Sequence, residues 1–161
     1  MRGRFRFEHQ LFLPLPRPEV FAFFADAENL ERITPPFLHF TILTPPPVAI
    51  RPGALIDYRL RLHGIPLRWR TEISVWEPPH RFVDRQLKGP YRLWVHEHRF
   101  EEVAGGTLMR DRVDYLPPGG LFAKLIDRWL VRPDVERIFA YRSEKIQEIL
   151  GVECGGGPMA P

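Results

Sequence analysis

RFVDRQLKGPYRLWVHEHRFEEVAGGTLMRDRVDYL, residues 81–116, is the segment that decides the fold. Apolar and polar residues alternate along three stretches of it, and turn signals at 88–90 and 105–106 separate the stretches. Alternation with a period of two is typical of half-buried strands, and short connections containing glycine or proline join antiparallel neighbours. The segment therefore predicts three consecutive antiparallel strands.

The same alternation extends towards the N-terminus, where two short helices interrupt it. One helix begins at Pro18 with Glu19 at its positive end, and the second is capped by Asp26 and ends near Ile33. Short turns between successive strands favour an antiparallel meander. Seven strands are predicted in all, at 5–13, 38–43, 54–62, 67–76, 81–87, 91–101 and 107–116.

Beyond the Pro-Pro-Gly-Gly segment at 117–120 the apolar period becomes helical. An apolar and a charged face continue to residue 150, which predicts an amphipathic helix of up to about 30 residues, or about 45 Å. Pro133 is expected to kink or split this helix, because proline removes one backbone hydrogen bond. The whole pattern predicts an α+β fold in which a curved antiparallel sheet of about seven strands wraps around a long C-terminal helix.

The length and composition favour one domain with an aromatic interior. The 161 residues suit a single domain, which we place at 1–150. The remaining segment, 151–161, is too rich in glycine and proline to pack, so a disordered tail is expected. The chain contains 12 Phe and 4 Trp, enough large rings to fill a core or to line a cavity.

Charge and cysteine content argue against several functional classes. The formal net charge is +3, and arginines are interspersed with acids, which predicts an ion-paired surface and no nucleic-acid interface. The single cysteine, Cys154, cannot form an internal disulfide. Neither a cleavable signal nor an apolar run of about 20 residues is visible, so we expect a cytoplasmic protein that does not span a membrane.

One residue and three stretches carry a resemblance to a known superfamily: Trp69, the run at 82–100, the run GGTLMRDRVDYLPPGG at 105–120 and IFAYR at 138–142. They resemble the START-like or helix-grip (SRPBCC) superfamily of polyketide cyclases, coenzyme Q-binding proteins and Bet v 1 allergens, and within it a bacterial group of uncharacterised ligand-binding members. The resemblance covers residues 3–150. It implies a deep, mostly apolar cavity between sheet and C-terminal helix. It implies no reaction, because no catalytic motif can be transferred residue by residue.

Strand parity assigns the inward face, because successive side chains of a strand point to opposite sides. Faces that carry arginine should point to solvent, so that on the fourth strand the inward residues are Leu67, Trp69, Thr71, Ile73 and Val75. Trp129 is expected to pack the helix on the sheet or to line the cavity. The residues predicted to bind a ligand are Trp69, Phe82, Asp84, Gln86, Trp94, His96, His98, Phe100, Met109, Asp111, Tyr115 and Trp129.

Five of these inward residues form a polar band: Asp84, Gln86, His96, His98 and Asp111. Buried polar groups cost about 1–3 kcal/mol each when unpaired, so the band must find partners. It is a self-satisfied network, or a set in which His96, His98 and Gln86 orient a ligand carbonyl or hydroxyl, which can coexist with such a network, or an acid–base site. In the third case His96, His98 and Asp111 are the catalytic candidates, as a cyclase or dehydratase needs.

No metal and no other cofactor is assigned. Two histidines at i and i+2 on a strand can share a metal, but a catalytic zinc site usually needs three converging protein ligands. The Pro-rich loop TPPPVAIRPG, residues 44–53, is either a lid over the cavity, through Val48 and Ile50, or a loop packed on the domain.

The primary hypothesis is a non-enzymatic binding protein for a hydrophobic or amphipathic small molecule, such as a lipid, a quinone or a polyketide-like ring system. One alternative is a cyclase or dehydratase. The other is a module that binds a protein partner through its exposed arginine face, which predicts a filled interior.

Overall fold

A single antiparallel sheet organises the molecule. The computed structural model describes residues 4–152. Within them the strand order is β1-β7-β6-β5-β4-β3-β2, so the first strand pairs with the last. This confirms the predicted α+β helix-grip architecture. The strands are β1 Phe5–Leu13, β2 Thr41–Ile42, β3 Leu55–Leu62, β4 Ile65–Glu77, β5 Arg81–Lys88, β6 Leu93–Val103 and β7 Gly106–Leu116.

The second strand is shorter than the predicted 38–43. A single 3-10 turn occupies Pro36–Leu38, and His39 adopts a left-handed conformation with φ of 45°. Pairing with β3 is therefore limited to Thr41–Ile42. The prolines explain the difference, because a proline fits the first position of a helical turn and its fixed φ favours that conformation.

The helices form two groups, α1 and α2 before β2 and α3 and α4 after β7. A π-helical turn, Asp127–Val131, joins α3 to α4, and Pro133 follows it in the first turn of α4. The helical segment continues through this widened turn, which lies where proline interrupts regular α-helical hydrogen bonding. The helices are α1 Arg17–Phe24, α2 Glu28–Arg32, α3 Ala123–Ile126 and α4 Arg132–Leu150.

Helix α4 ends at Gly151, whose φ of 67° is the left-handed conformation that glycine adopts without a steric cost. The N–H groups of Gly151 and Val152 donate to the carbonyls of Glu148 and Gln147. These two residues therefore belong to the helix end and not to the predicted tail. The rest of that tail, 153–161, lies outside the described residues. None of the helices within 4–152 is long and apolar enough to cross a membrane.

The inner face of the sheet packs against α1 at one end and against α4 at the other. The ring of Phe21 in α1 meets those of Phe82 and Phe100 edge-on. At the other end Phe139 of α4 is buried with Val113 and Tyr115 of β7. Each such burial contributes about 1.5–3 kcal/mol. The remaining part of the inner face, over β3 to β6, is left for a cavity.

A β-bulge in β4 changes which side chains point inward. Ile73 pairs with Asp84, but Val75 pairs with Val83, so Ser74 is an extra residue in β4. The alternation is interrupted there, and beyond the bulge Trp76 faces the cavity. The prediction that Val75 points inward is therefore wrong, because strict parity holds only while the two strands advance in step.

Candidate functional site

The inner face of the sheet and the helices α2 and α4 enclose a cavity of about 200 Å³. Leu30 of α2 and Val135 and Ile138 of α4 form part of the helical wall. Such a mostly apolar space with few polar groups is the usual form of a small-molecule site. The sheet wall is largely aromatic and consists of Tyr58, Trp69, Trp76, Phe82, Tyr91 and Trp94.

Cross-strand pairing fixes several of these rings against one another. Tyr58 and Trp69 are partners in the β3–β4 register, and their rings stack with centroids 5.9 Å apart. Trp94 meets Trp69 edge-on at 5.6 Å and lies 4.7 Å from Tyr91. The indole Nε1 of Trp69 donates to Thr71 Oγ1 over 3.2 Å. The wall is therefore a rigid apolar surface on which the buried Trp69 indole nitrogen is already satisfied.

A polar cluster of four side chains interrupts the apolar wall. The register places Asp84 opposite His96 and His98 opposite Asp111, which brings all four to the inner face. His96 Nε2 lies 2.8 Å from Asp111 Oδ1, and His98 Nε2 lies 3.0 Å from Asp84 Oδ2. His98 Nδ1 is 2.9 Å from Asp111 Oδ1, but outside the direction of a good hydrogen bond. Most of the predicted polar band is thus a connected network.

The two imidazoles of this cluster have opposite pKa shifts. Burial lowers the pKa of His98, but the adjacent carboxylates of Asp111 and Asp84 outweigh it and raise this pKa above its ordinary value. Burial and the adjacent His98 lower the pKa of His96. Burial favours a raised pKa for Asp111, yet the two imidazoles hold it well below its usual range. Within this pair, protonation is therefore favoured at His98 over His96.

Arg142 of α4 also lines the cavity. Its Nε is buried and has no hydrogen-bond partner, and the guanidinium lies 5.2 Å from the ring of Phe139. Burial lowers the pKa of Arg142, against the charges of Asp111 and Asp84. The sequence-based selection missed this residue, although a signal exists. Position 142 follows Phe139 by three and precedes Ile146 by four, which places an arginine on the apolar face of the helix.

A sequence profile described as polyketide cyclase/dehydrase and lipid transport matches residues 13–139, which is most of the chain. The chain belongs to this family. The match agrees with the resemblance to the START-like superfamily, and membership supports the binding of a hydrophobic small molecule in general. No curated protein sequence matches the chain significantly.

Solved structures similar to this family member include protein Ms6760 from Mycobacterium smegmatis, with a TM-score of 0.68, 18% identity and coverage of 91% of this chain and 90% of that one. Major latex-like protein 151 from Panax ginseng has a TM-score of 0.64 and 10% identity, with coverage of 91% of this chain and 97% of that one. The Zhui aromatase/cyclase from Streptomyces sp. R1128 has a TM-score of 0.64 and 17% identity, with coverage of 96% of this chain and 99% of that one. At these identities the likeness shows the fold alone.

Half of the residues predicted to bind a ligand in this polyketide cyclase/dehydrase family member line the cavity: Trp69, Phe82, Asp84, Trp94, His96 and His98. Asp111 lies behind the imidazoles and does not line it. Phe100 and Met109 point inward as predicted, but the part of the sheet that carries them is covered by α1, where they join the apolar core around Phe21. They support the cavity wall from outside.

Two other predicted residues serve neighbouring segments instead of the cavity. The side-chain amide of Gln86 donates to the carbonyl of Tyr91 over 2.6 Å and accepts from its N–H over 3.3 Å, which fixes the turn before β6. The hydroxyl of Tyr115 donates to the buried carboxylate of Asp127. Parity alone could not identify these local partners, because they belong to a turn and to a helix.

The prediction that Trp129 packs on the sheet or lines the cavity is wrong. Its side chain is 69% exposed, because this stretch of helix turns Ala123, Asp127 and Val131 inward instead. The hydrogen bond from Tyr115 to Asp127 fixes that orientation. The apolar face predicted for 121–130 is therefore outward-facing at most of its positions.

The loop at 44–53 lies beside the cavity. Val48 and Ile50 pack against a buried cluster of Ala27, Ile56 and Ile73, and Ile50 also lines the cavity. Packing on the domain is thus observed, and a lid role stays a prediction.

Asp84, His96 and His98 are the described residues that could hold a metal ion. One potential ligand atom from each lies within 4.8 Å of the others. Two imidazoles and a carboxylate are a donor set used by transition metals. The same side chains also hydrogen-bond to carboxylates, His96 Nε2 to Asp111 and His98 Nε2 to Asp84, so the cluster has a role without a metal.

Proposed function

We propose that this protein binds a hydrophobic or amphipathic small molecule, such as a lipid, a quinone or a polyketide-like ring system, between the sheet and α4. The observation that carries the proposal is the aromatic-walled cavity of about 200 Å³. An apolar cavity of about 150 Å³ accepts benzene, so this volume suits a ring or part of an acyl chain. Burying apolar ligand surface here is favourable by about 25 cal/mol per Å².

A cavity of this size argues against the interaction module with a filled interior. The cross-strand ring contacts favour a preformed site, because rings that are already packed lose little freedom when a ligand enters.

A fluorescent apolar probe, N-phenyl-1-naphthylamine, tests the proposal together with native mass spectrometry of protein purified from its own host. Leu60→Trp, which fills the cavity, should weaken probe binding at least about tenfold. Ile138→Trp, on the facing helix, should do the same. Leu55→Trp is the matched control on β3, because Leu55 is exposed and outside the cavity. Unchanged probe binding by both cavity variants, or no binding by the native protein, refutes the proposal.

A second candidate is a cyclase or dehydratase. It is favoured by two adjacent imidazoles whose pKa values are shifted in opposite directions, since such a pair is suited to accept one proton and donate another. In a dehydration, His96 would take a proton from a carbon next to a ligand carbonyl, a C=C bond would form as the C–O bond on the neighbouring carbon breaks, and His98 would protonate the departing hydroxyl so that water is released. Loss of one water from a copurified ligand, abolished in His98→Ala while binding persists, would support catalysis. An unchanged ligand mass supports binding alone.

A further inference from the structure

The half-buried guanidinium of Arg142 faces the cavity and has no counter-ion in direct contact. Its Nε has no hydrogen-bond partner, and no carboxylate among residues 4–152 forms an ion pair with it. The nearby acids are already engaged, Asp111 with His96 and Asp84 with His98. Because a buried donor without a partner is unfavourable, the position of Arg142 in the cavity wall favours a ligand that carries a hydrogen-bond acceptor.

The geometry favours an anionic acceptor. A guanidinium presents a planar fork of donors that matches a carboxylate with two parallel hydrogen bonds. The ring of Phe139 holds the group by a cation–π contact and leaves the cavity side open. A neutral carbonyl would accept one of these hydrogen bonds, whereas a carboxylate can accept two from the planar fork.

We propose that Arg142 binds the carboxylate of an amphipathic ligand whose apolar part contacts the aromatic wall. The ligand class is therefore a hydrophobic carboxylic acid. This inference rests on the proposed binding function and makes it more specific.

Displacement of the naphthylamine probe by decanoic acid and by decan-1-ol tests the inference, because the two ligands share a chain and differ in the head group. With the native protein the acid should displace the probe at a concentration at least about tenfold lower than the alcohol. Arg142→Gln should remove this preference and leave displacement by the alcohol unchanged. Arg142→Lys should retain part of it. Arg137→Gln is the control, because Arg137 lies on the same helix outside the cavity and stacks on Phe37.

The outcomes separate this inference from the proposed function. Equal displacement by acid and alcohol, or an acid preference that survives Arg142→Gln, overturns the role of Arg142 and leaves the binding function intact. Absence of binding by the probe and both ligands refutes the two together. Thermal unfolding checks that the variant is folded.

A second inference rests on a different feature, an exposed apolar face on the helical segment before α4. The side chains of Leu121, Phe122 and Trp129 are 100%, 66% and 69% exposed. Exposed apolar patches on a protein surface usually mark an interaction site. The 121–130 face consists of Leu121, Phe122, Leu125, Trp129 and Leu130.

Positive charge accompanies this face. Lys124 and Arg128 are exposed and form no ion pair within the described residues, and Arg128 lies 5.5 Å above the ring of Trp129. The one acid of the segment, Asp127, is buried against Tyr115. Two copies meeting through this face would bring their cations together. An anionic lipid surface supplies the opposite charge and also accepts the apolar side chains.

We propose that the 121–130 face docks on a bilayer surface that contains anionic lipid. Trp129 and Phe122 would lie at the headgroup level, where aromatic residues are enriched, and Lys124 and Arg128 would contact the headgroups. The face precedes α4 by a few residues, and Asp134 and Val135 of α4 line the cavity.

Flotation with vesicles of phosphatidylcholine, with and without phosphatidylglycerol, tests this docking. The protein should float with the mixed vesicles, and less so at high salt. Leu121→Ser/Trp129→Ser should abolish flotation, and Lys124→Gln/Arg128→Gln should remove the dependence on phosphatidylglycerol. Ile65→Ser is the control, since Ile65 is 62% exposed elsewhere on the surface. No flotation of the native protein, or a dimer in light scattering that only the double serine variant loses, overturns the inference.

Discussion

At the scale of single residues, the polar cluster on β5, β6 and β7 combines groups that are each unfavourable alone. Asp111 is 4% exposed and faces two imidazoles. Removing the charge of Asp111 leaves the buried His98 with one neighbouring carboxylate, Asp84, instead of two. The cluster therefore resembles a buried ion pair, in which loss of one partner costs far more than the pair contributes.

We expect Asp111→Asn to lower the free energy of unfolding by about 3–5 kcal/mol, measured by urea unfolding near pH 6. Asp114→Asn is the control on the same strand. Asp114 faces outward and pairs with the exposed Arg6, so its loss should cost less than about 1 kcal/mol. Similar costs for the two variants would contradict the role assigned to Asp111.

The same residue predicts how stability depends on pH. The pKa of Asp111 lies below its ordinary value of 3.8, so its contribution is complete above that pH and is lost as the pH falls through its folded pKa. His98 has a raised pKa, so its contribution to stability is complete below its ordinary pKa of 6.5 and is lost as the pH rises through its folded pKa. His96 has a lowered pKa, so it contributes to stability above 6.5 and this contribution is lost as the pH falls through its folded pKa. Below about pH 4 the free energy of unfolding, measured in urea, should fall more steeply for the native protein than for Asp111→Asn. Parallel curves would refute this.

Zinc binding tests the cluster as a metal site. We expect no heat on calorimetric titration with micromolar zinc, because Asp84, His96 and His98 are satisfied by one another and Arg142 adds a positive charge nearby. A saturable heat that disappears in His98→Gln would instead assign a metal to these residues.

At the scale of elements, the start of β7 is held very close to the end of β1. A Cβ added at Gly106 would lie 2.2 Å from the carbonyl oxygen of Leu13 and 2.8 Å from the Cα of Pro14. Both are backbone atoms, so the strands must separate to accept it.

Gly106→Ala should therefore lower the free energy of unfolding by about 1–3 kcal/mol in urea. Ala104→Gly, in the exposed turn before β7, is the control and should change it by less than about 1 kcal/mol. A neutral effect of Gly106→Ala would mean that the two strands can move apart freely.

Elements that depend on periodicity could be predicted from the sequence, and those that depend on a local irregularity could not. Alternation identified β1 and β3 to β7, and the apolar stripe identified α4. The bulge at Ser74 reverses which side chains of β4 point inward after it, and the buried Asp127 turns the apolar side of its helical segment outward. Alternation and helical spacing do not predict either of these irregularities. In the site, parity found His96 and His98. Strand parity says nothing about Arg142, whose signal is its helical spacing from Phe139 and Ile146 in α4.

At the scale of the whole molecule, ligand binding should be visible as stability. A ligand at about 100 times its Kd adds about 2.7 kcal/mol to the free energy of unfolding, which corresponds to roughly 5–10 °C in the thermal midpoint for a protein of this size. Decanoic acid should produce a shift of this order in the native protein and a smaller one in Leu60→Trp. An equal shift in both would place the acid outside the cavity.

The pairing of β1 with β7 has a consequence for how the chain reaches this structure. Phe5 is opposite Tyr115 and Leu13 is opposite Thr107, so the sheet is completed by contacts between segments far apart in sequence. Such non-local contacts slow folding. At about 5–20 residues per second, the ribosome takes roughly 5–20 s to synthesise the intervening stretch. During that time β1 has no partner strand, so a chaperone that covers residues 5–13 would protect the nascent chain from aggregation.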